Sequence, residues 1–196
     1  CIRDSAKVMA ANKEAFNRVY WTGTAYRHPE YKECTDDRVQ ALAVVAGLAD
    51  PDKYDAILKV LENCRHASPY TEKYVTEAYF IMGKGKQGLD RMKERYAKMV
   101  NHPDYSTLFE GWGIGAEGFG GGTTNHAWSG GGLTILSQYV CGIAPTKPGY
   151  EEFRVAPRLS GLEWVETVVP SVKGDIDFKA KENASGLEFS FTVPKG

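Results

Sequence analysis

The chain has 196 residues, 24 of them basic and 25 acidic, and a formal net charge of −1. Its 42% hydrophobic and 25% charged residues are the balance of a globular protein and exclude a disordered chain. The near-neutral charge argues against an electrostatic nucleic-acid binder, and no apolar run reaches the length of a bilayer-spanning helix, so we expect no nucleic-acid and no membrane partner.

The amino-terminal segment predicts two helices separated by a loop. Apolar residues at helical spacing predict a first helix over 2–20. The stretch 21–34 holds glycine, proline and scattered aromatic residues, which predicts a loop. The acidic pair Asp36 and Asp37 then precedes a run of small residues that predicts a second helix, ending near Gly47.

Four more helices are predicted before the composition changes. Asp50 and Ser68 each precede a proline, the arrangement of an N-cap followed by the first helical residue, and Gly83 suits the end of the second of these helices. Helical spacing recurs over 84–98, where many charges predict a solvated outer face, and over 133–140. Helices of this length joined by short turns predict stacked antiparallel hairpins.

Beyond Pro145 the pattern changes to short β-type runs between glycine-containing turns. The segments 175–181 and 187–193 alternate polar and apolar residues on either side of a tight polar turn, which predicts a hairpin. We therefore predict a mainly α chain that ends in a small antiparallel β unit, with a domain boundary that separates 1–146 from 147–196.

The long loop 101–132 is the segment most suggestive of function. It holds two of the four tryptophans, two of the four histidines and much of the glycine, which indicates a loop that lines a ligand. Glu110 lies between Phe109 and a Gly-Trp pair, the most apolar surroundings of any carboxylate in the chain, and this makes it a candidate general base. A hydrogen-bonded carboxylate at a helix end is the alternative, and Glu117 is a second candidate in the same loop.

The sequence argues against a metal or a cofactor. The four histidines are scattered and show none of the usual metal-ligand spacings, so His126, next to Asn125, suits either a structural or a ligand-binding role. The stretch 113–118 matches GxGxxG, but no strand precedes it and no acidic residue follows about 20 residues later. No phosphate-binding P-loop and no serine-hydrolase GxSxG elbow is present either. We therefore predict no metal and no cofactor.

With these motifs in view, the stretches 101–145 and 148–176 resemble the C-terminal part of bacterial α-L-rhamnosidases of glycoside hydrolase family 78. The Glu-Gly-Trp turn at 110–112, the Asn-His-Ala-Trp-Ser-Gly run at 125–130 and the Gly-Ile-x-Pro junction at 142–145 carry the resemblance as a set. It implies an (α/α)6 toroid followed by a small antiparallel β-sandwich. This chain would then supply the C-terminal half of the toroidal catalytic domain and the β domain.

The resemblance also implies a reaction and its residues. Members of the family are inverting hydrolases that use two carboxylic acids, and Glu110 matches their general base. The general acid would lie in an upstream motif, so the remainder of the parent chain is an expected partner and this chain alone is expected to be inactive. The other residues expected to contact the carbohydrate substrate, an α-L-rhamnoside, are Trp112, His126, Trp128, Asn125, Glu117 and Asp37. For Asp37 a helix cap is an equally suitable role.

Two other functions remain open from the sequence. The aromatic loop would suit a non-catalytic sugar-binding protein on the same fold equally well. Another (α/α)6 carbohydrate-active enzyme, such as an epimerase or a polysaccharide lyase, is disfavoured by the combination of the Glu-Gly-Trp and Asn-His-Ala-Trp-Ser-Gly motifs.

Overall fold

A computed structural model of the chain describes residues 2–117 and 122–195, so that the GxGxxG match ends, at Gly118, outside the described residues. The helices are α1 (Ile2–Tyr20), α2 (Asp37–Val45), α3 (Tyr54–Asn63), α4 (Pro69–Ile81), α5 (Gly85–Val100) and α6 (Gly131–Ile135). The strands are β1 (Ile143–Pro145), β2 (Phe153–Val155), β3 (Trp164–Ser171), β4 (Gly174–Asn183) and β5 (Gly186–Thr192). Within the described ranges, none of the helices is long and apolar enough to span a bilayer.

The helix starts follow the local sequence signals, with one exception. The Asp36 side chain accepts hydrogen bonds from two backbone N–H groups of α2, and Ser68 accepts one from Thr71 in α4, as their cap positions predict. Asp50 occupies the predicted N-cap position before Pro51, but its side chain makes no cap hydrogen bond, because its carboxylate pairs instead with Lys13 of α1 at 2.5 Å. The chain there makes one 3-10 turn before α3 begins.

Helix α4 lies at the centre of the helical part and packs against α2, α5 and α6. Its buried residues contribute Val75 and Tyr79 to a core that also contains Tyr26, Ile57 and Leu61. Helix α4 is therefore held on several sides. Helix α6 continues into a π-helical turn before β1. The prediction of a mainly helical chain is confirmed, and the helix starts at 37 and 69 lie where the sequence places them.

Two small antiparallel sheets follow the helices. Strands β1 and β2 form a pair, and β3, β4 and β5 form a meander in that order. The β4–β5 hairpin confirms the predicted pairing of 175–181 with 187–193. Ile143 from the first sheet and Val169, Ile176 and Phe178 from the second share one apolar cluster. The two sheets are therefore joined through a common core.

Gly142 marks the step from the helices to the strands. Its φ angle is +71°, and an added Cβ would lie 2.1 Å from the backbone of Ala156. Only glycine combines this left-handed conformation with so close a backbone approach. The backbone of Ala156 donates back to the Gly142 carbonyl at 3.0 Å, which holds the two segments together.

Candidate active site

The two ends of the long loop between α5 and α6 lie side by side. The Glu110 backbone N–H donates to the Thr123 carbonyl at 2.9 Å, and the His126 N–H donates to the Leu108 carbonyl at 2.8 Å. Residues that are 13 and 18 positions apart in the chain are thereby held against each other. This pairing brings Glu110 close to His126.

The paired segments are anchored to the protein interior. Phe109 is fully buried and packs in a cluster with Tyr96 and Met99 of α5. The Ser129 hydroxyl, which is also buried, donates to the Phe109 carbonyl at 2.6 Å. Phe109, which precedes Glu110, and Ser129, which follows Trp128, are therefore both fixed, so the backbones that carry Glu110 and Trp128 have a defined position.

The Glu110 carboxylate forms a small cluster with Thr123 and His126. Its Oε2 atom accepts a hydrogen bond from the Thr123 backbone N–H at 3.0 Å and lies 3.7 Å from His126 Nδ1. The Thr123 hydroxyl is 2.9 Å from the same imidazole nitrogen. The side chains of Glu110 and His126 are 27% and 33% exposed. The carboxylate is held in place but remains open to water, which suits a group that accepts a proton from a water molecule.

Aromatic rings continue from this cluster along the surface. The Trp128 indole N–H donates to the Glu110 carbonyl at 3.2 Å, and the Trp128 and His126 ring centroids are 4.3 Å apart. On its other side Trp128 lies 5.4 Å from the ring of Tyr70, near the start of α4. Tyr70 could not be predicted from the sequence, because nothing in the first turn of α4 shows that the distant loop folds against it.

Trp112 is held by α5 and by the segment between α3 and α4. Its indole N–H donates to the Ala67 carbonyl at 2.7 Å, and the Arg95 guanidinium lies 4.2 Å from the ring centroid. Arg95 donates to the same Ala67 carbonyl at 2.6 Å. The ring of Trp112 is half-buried between these groups. Its contacts in this chain therefore fix the turn that carries Glu110, and packing against a sugar ring stays a prediction.

Asp37 lies in a buried ion network, which we define as Asp37, Glu72, Arg91 and Arg95. Arg91 contacts a carboxylate oxygen of Asp37 at 2.5 Å and one of Glu72 at 2.5 Å, and all three side chains are buried. The other Asp37 oxygen accepts from the backbone N–H groups of His66 and Ala67. A side chain enclosed in this way does not reach a sugar, so the expected substrate contact of Asp37 is replaced by a structural role.

The burial of Arg91 contradicts the prediction that the charged stretch 84–98 is a solvated outer face. Although 84–98 is densely charged, Arg91 is 3% exposed and donates to the carbonyls of Leu61 and Cys64 as well as to the two carboxylates. Helix α5 is therefore buried partly through paired charges, beside apolar residues such as Leu89 and Met99. Arg95, one turn later, extends the ion network toward Trp112.

Glu117 and Asn125 lie on the exposed part of the loop. Glu117 forms an ion pair with Lys98 of α5, and the hydrogen bond from Lys98 lowers the pKa of this carboxyl. Asn125 is exposed directly before His126. Contact of either residue with a substrate stays a prediction. Among the described residues, no group of three or more His, Cys, Asp or Glu side chains is arranged to hold a metal ion.

Comparisons with known proteins agree with the resemblance seen in the sequence. The family model described as bacterial alpha-L-rhamnosidase C-terminal domain matches residues 142–196. The crystal structure of a GH78 family rhamnosidase of Bacillus sp. GL1 superposes with a TM-score of 0.74 and 24% sequence identity. It covers 91% of this chain, whereas this chain spans 21% of that protein. No curated protein matches the sequence significantly. The similarity to GH78 rhamnosidases is thus confirmed, by the family model at the C-terminal end and by the fold over most of the chain.

Proposed function

We propose that this chain is the part of an inverting α-L-rhamnosidase that carries the general base, Glu110. Its substrate would be a glycan or glycoside with a terminal α-L-rhamnose. The main support is the position of the Glu110 carboxylate, held by Thr123, next to His126 and open to water, on a fold similar to that of a GH78 rhamnosidase. No cofactor or metal takes part in the proposed reaction.

In the proposed reaction a water molecule lies between Glu110 and the anomeric carbon. Glu110 accepts a proton from this water while the oxygen of the water bonds to the anomeric carbon. At the same time the bond between the anomeric carbon and the leaving oxygen breaks. A second carboxylic acid gives its proton to that leaving oxygen, so the sugar and the alcohol are both released as neutral products. Inversion needs the two carboxyl groups about 6.5–9.5 Å apart. We propose that the second one comes from the remainder of the parent protein.

The same proposal assigns roles to the neighbouring residues and to the two parts of the chain. His126 and Asn125 would bond to sugar hydroxyls, Trp128 would pack on the sugar ring, and Trp112 and Glu117 would border the site. Residues 1–146 would form the C-terminal half of an (α/α)6 catalytic domain, and 147–196 its β domain. Two observations support this division: the structural match covers most of the chain, and the family model begins at residue 142.

The proposal is tested by replacing Glu110 in the full-length protein. With p-nitrophenyl α-L-rhamnopyranoside as substrate, we expect Glu110→Gln to lower kcat by about 10³-fold, because general-base catalysis contributes about 10²–10⁴-fold. Glu94→Gln, which changes an exposed carboxylate of α5 that pairs with Arg65, is the matched control and should retain activity. Full activity of Glu110→Gln would reject Glu110 as the base.

A second candidate is a sugar-binding protein without catalysis. The exposed rings of Trp128 and Tyr70 favour it, because exposed aromatic faces hold sugar rings whether or not a reaction follows. Calorimetry with L-rhamnose, run beside the activity assay, separates the two functions. Binding of L-rhamnose without release of rhamnose from any α-L-rhamnoside would favour the sugar-binding protein.

A further inference from the structure

The two arginines of the buried ion network differ in how well they are paired. Arg91 contacts both carboxylates of the network and donates to two backbone carbonyls at the end of α3. Arg95 donates to the Ala67 carbonyl at 2.6 Å, and one of its nitrogens lies 3.6 Å from a Glu72 oxygen. That nitrogen, Nε, is buried and has no hydrogen-bond partner among the described residues. Arg95 is therefore the less well paired of the two.

This incomplete pairing of Arg95 is unfavourable for the fold. A buried donor without an acceptor destabilises the folded state, and the side chain of Arg95 is only 14% exposed. Burial lowers the pKa of its guanidinium, although the charge of Glu72 acts in the opposite direction. The stability of the buried ion network therefore does not explain why an arginine occupies this position.

Outside the network, Arg95 faces Trp112. The guanidinium carbon lies 4.2 Å from the centroid of the Trp112 ring, which is the distance of a close cation–π contact. The next residue of α5, Tyr96, meets the same ring edge-on, with centroids 5.1 Å apart and planes inclined by 79°. Two successive side chains of α5 thus hold the Trp112 ring in one orientation.

One buried residue, Ala67, joins Trp112 to the ion network. Its carbonyl accepts from the Trp112 indole N–H at 2.7 Å and from Arg95 at 2.6 Å. Its backbone N–H donates to Asp37 at 3.1 Å. The indole and the guanidinium are therefore fixed relative to each other and to the start of α2.

The position of Trp112 bears directly on Glu110, which lies two residues earlier in the chain. Phe109, fully buried, fixes the backbone on the amino side of Glu110, and Trp112 fixes it on the carboxyl side beyond the buried Gly111. A general base acts only within hydrogen-bond reach of the water that it deprotonates. A small displacement of this turn therefore misplaces the carboxylate, and misplacement of a reacting group by about 1 Å is enough to slow catalysis strongly.

We propose that Arg95 is a positioning residue for the general base, because it holds Trp112 and Trp112 holds the turn that carries Glu110. This inference rests on the proposed function. Arg95 has no contact with the substrate in this arrangement, so it governs the rate of the chemical step rather than the binding of the sugar. The buried ion network thereby acts on catalysis as well as on stability.

The test is a double-mutant cycle in the full-length protein, with p-nitrophenyl α-L-rhamnopyranoside as substrate. Arg95→Met removes the guanidinium, and Trp112→Leu removes the ring on which it acts. We expect Arg95→Met to lower kcat about tenfold and to change KM by less than about twofold, because a displaced base slows the reaction of bound substrate. The double variant should have a kcat within about threefold of that of Trp112→Leu, because residues that act through one contact have non-additive effects.

Two further variants separate positioning from stability. Arg95→Lys keeps the charge but not the planar guanidinium, so its kcat should lie between those of the natural protein and Arg95→Met. It also takes the place of Arg95→Met in the cycle if that variant does not fold. Arg65→Met is the matched control, because Arg65 donates to carbonyls at the end of α3 and pairs with Glu94 of α5. It should retain its kcat, and thermal melting of each variant verifies that it is folded in the assay.

The outcomes distinguish the positioning role from the proposed function. An unchanged kcat in the Arg95 variants, or losses of kcat that multiply in the double variant, would overturn the positioning role and leave Glu110 as the base. An equal loss of kcat in Arg65→Met would also overturn it, because loosening of the segment between α3 and α4 would then be sufficient. Failure of the natural full-length protein to release rhamnose would overturn the proposed function and the positioning role together.

Discussion

The two acidic clusters of this chain differ in burial and in pairing. Asp37 and Glu72 have no exposed side-chain surface and share the guanidinium of Arg91, at 2.5 Å in each case. Glu110 is 27% exposed, and the nearest side chain able to carry a positive charge is His126, at 3.7 Å. A buried carboxylate is tolerated only when it is paired, whereas one that reaches water is free to exchange protons. The first cluster therefore suits structure, and the second suits chemistry.

The largest effect is expected from breaking the buried ion network. Arg91→Met should lower the free energy of unfolding by about 3–5 kcal/mol, because it leaves Asp37 and Glu72 buried without a partner. Urea unfolding followed by circular dichroism measures the loss. Lys86→Met removes an exposed ion pair with Asp90 from the same helix and should change stability very little. A loss in Arg91→Met no greater than in this control would show that the network is not what stabilises this region.

An intermediate effect is expected at Tyr96, which connects the start of α4 to the loop. Tyr96→Phe should cost about 1–2 kcal/mol at neutral pH, because the two buried carbonyls lose the single hydroxyl proton that they share. Burial raises the pKa of Tyr96 above its ordinary value of 10.0, so the folded state holds the phenol proton more tightly than the unfolded state. This stabilisation is complete below pH 10 and is lost as the pH rises further.

The pH dependence gives the Tyr96 prediction a second measurement. The difference in unfolding free energy between the natural protein and Tyr96→Phe should shrink as the pH rises above 10, since only the natural protein has this phenol to ionise. Urea unfolding repeated between neutral pH and pH 11 follows the change. A constant difference over that range would contradict it.

A smaller effect on stability, but a clear one on rate, is expected at Trp112. Trp112→Phe keeps a ring over Arg95 and loses the indole N–H that donates to Ala67, which should cost about 1 kcal/mol. Because Glu110 lies two residues away, we expect kcat of the full-length protein to fall about tenfold. Trp164→Phe is the control for a tryptophan remote from the loop. Unchanged kcat with reduced stability would mean that Trp112 supports the fold alone.

The smallest effect on stability is expected at the proposed base itself. Glu110→Gln should change the free energy of unfolding by less than about 0.5 kcal/mol, because the amide oxygen still accepts from the Thr123 N–H. The matched change Glu72→Gln, in the buried ion network, should be much more destabilising, since it removes a buried charge partner of Arg91. Equal losses of unfolding free energy in these two variants would contradict the proposed difference between the two acidic clusters.

Local signals predicted much of the backbone. Ser68 and Asp36 cap their helices where the sequence places them, because a cap bonds to backbone groups two or three residues away. The β4–β5 hairpin follows from alternation along two short segments and a tight turn between them. Asp50 lies at its predicted cap position but makes no cap hydrogen bond, because Lys13, in another helix, binds its carboxylate.

The candidate site was predictable only in part. Glu110 and His126 were singled out by their apolar and polar neighbours in the loop, and the structure brings them within 3.7 Å of each other. Asp37 was placed with them because it starts a helix, although its side chain is buried against Arg91. Tyr70 was missed because its place beside the site depends on a ring contact with Trp128, 58 positions later in the chain.

The sequence by itself determined where the helices and the hairpin form, which loop is rich in aromatic and catalytic residue types, and which family the chain resembles. These features depend on residues close together in the chain, or on motifs that are recognised as strings. Only the tertiary structure decided which carboxylates are buried with a cation, which one reaches water, and which rings line up beside it. Those outcomes depend on contacts between α2, α4, α5 and the loop, and the free energy of a charge or an exposed ring is set by what surrounds it in space.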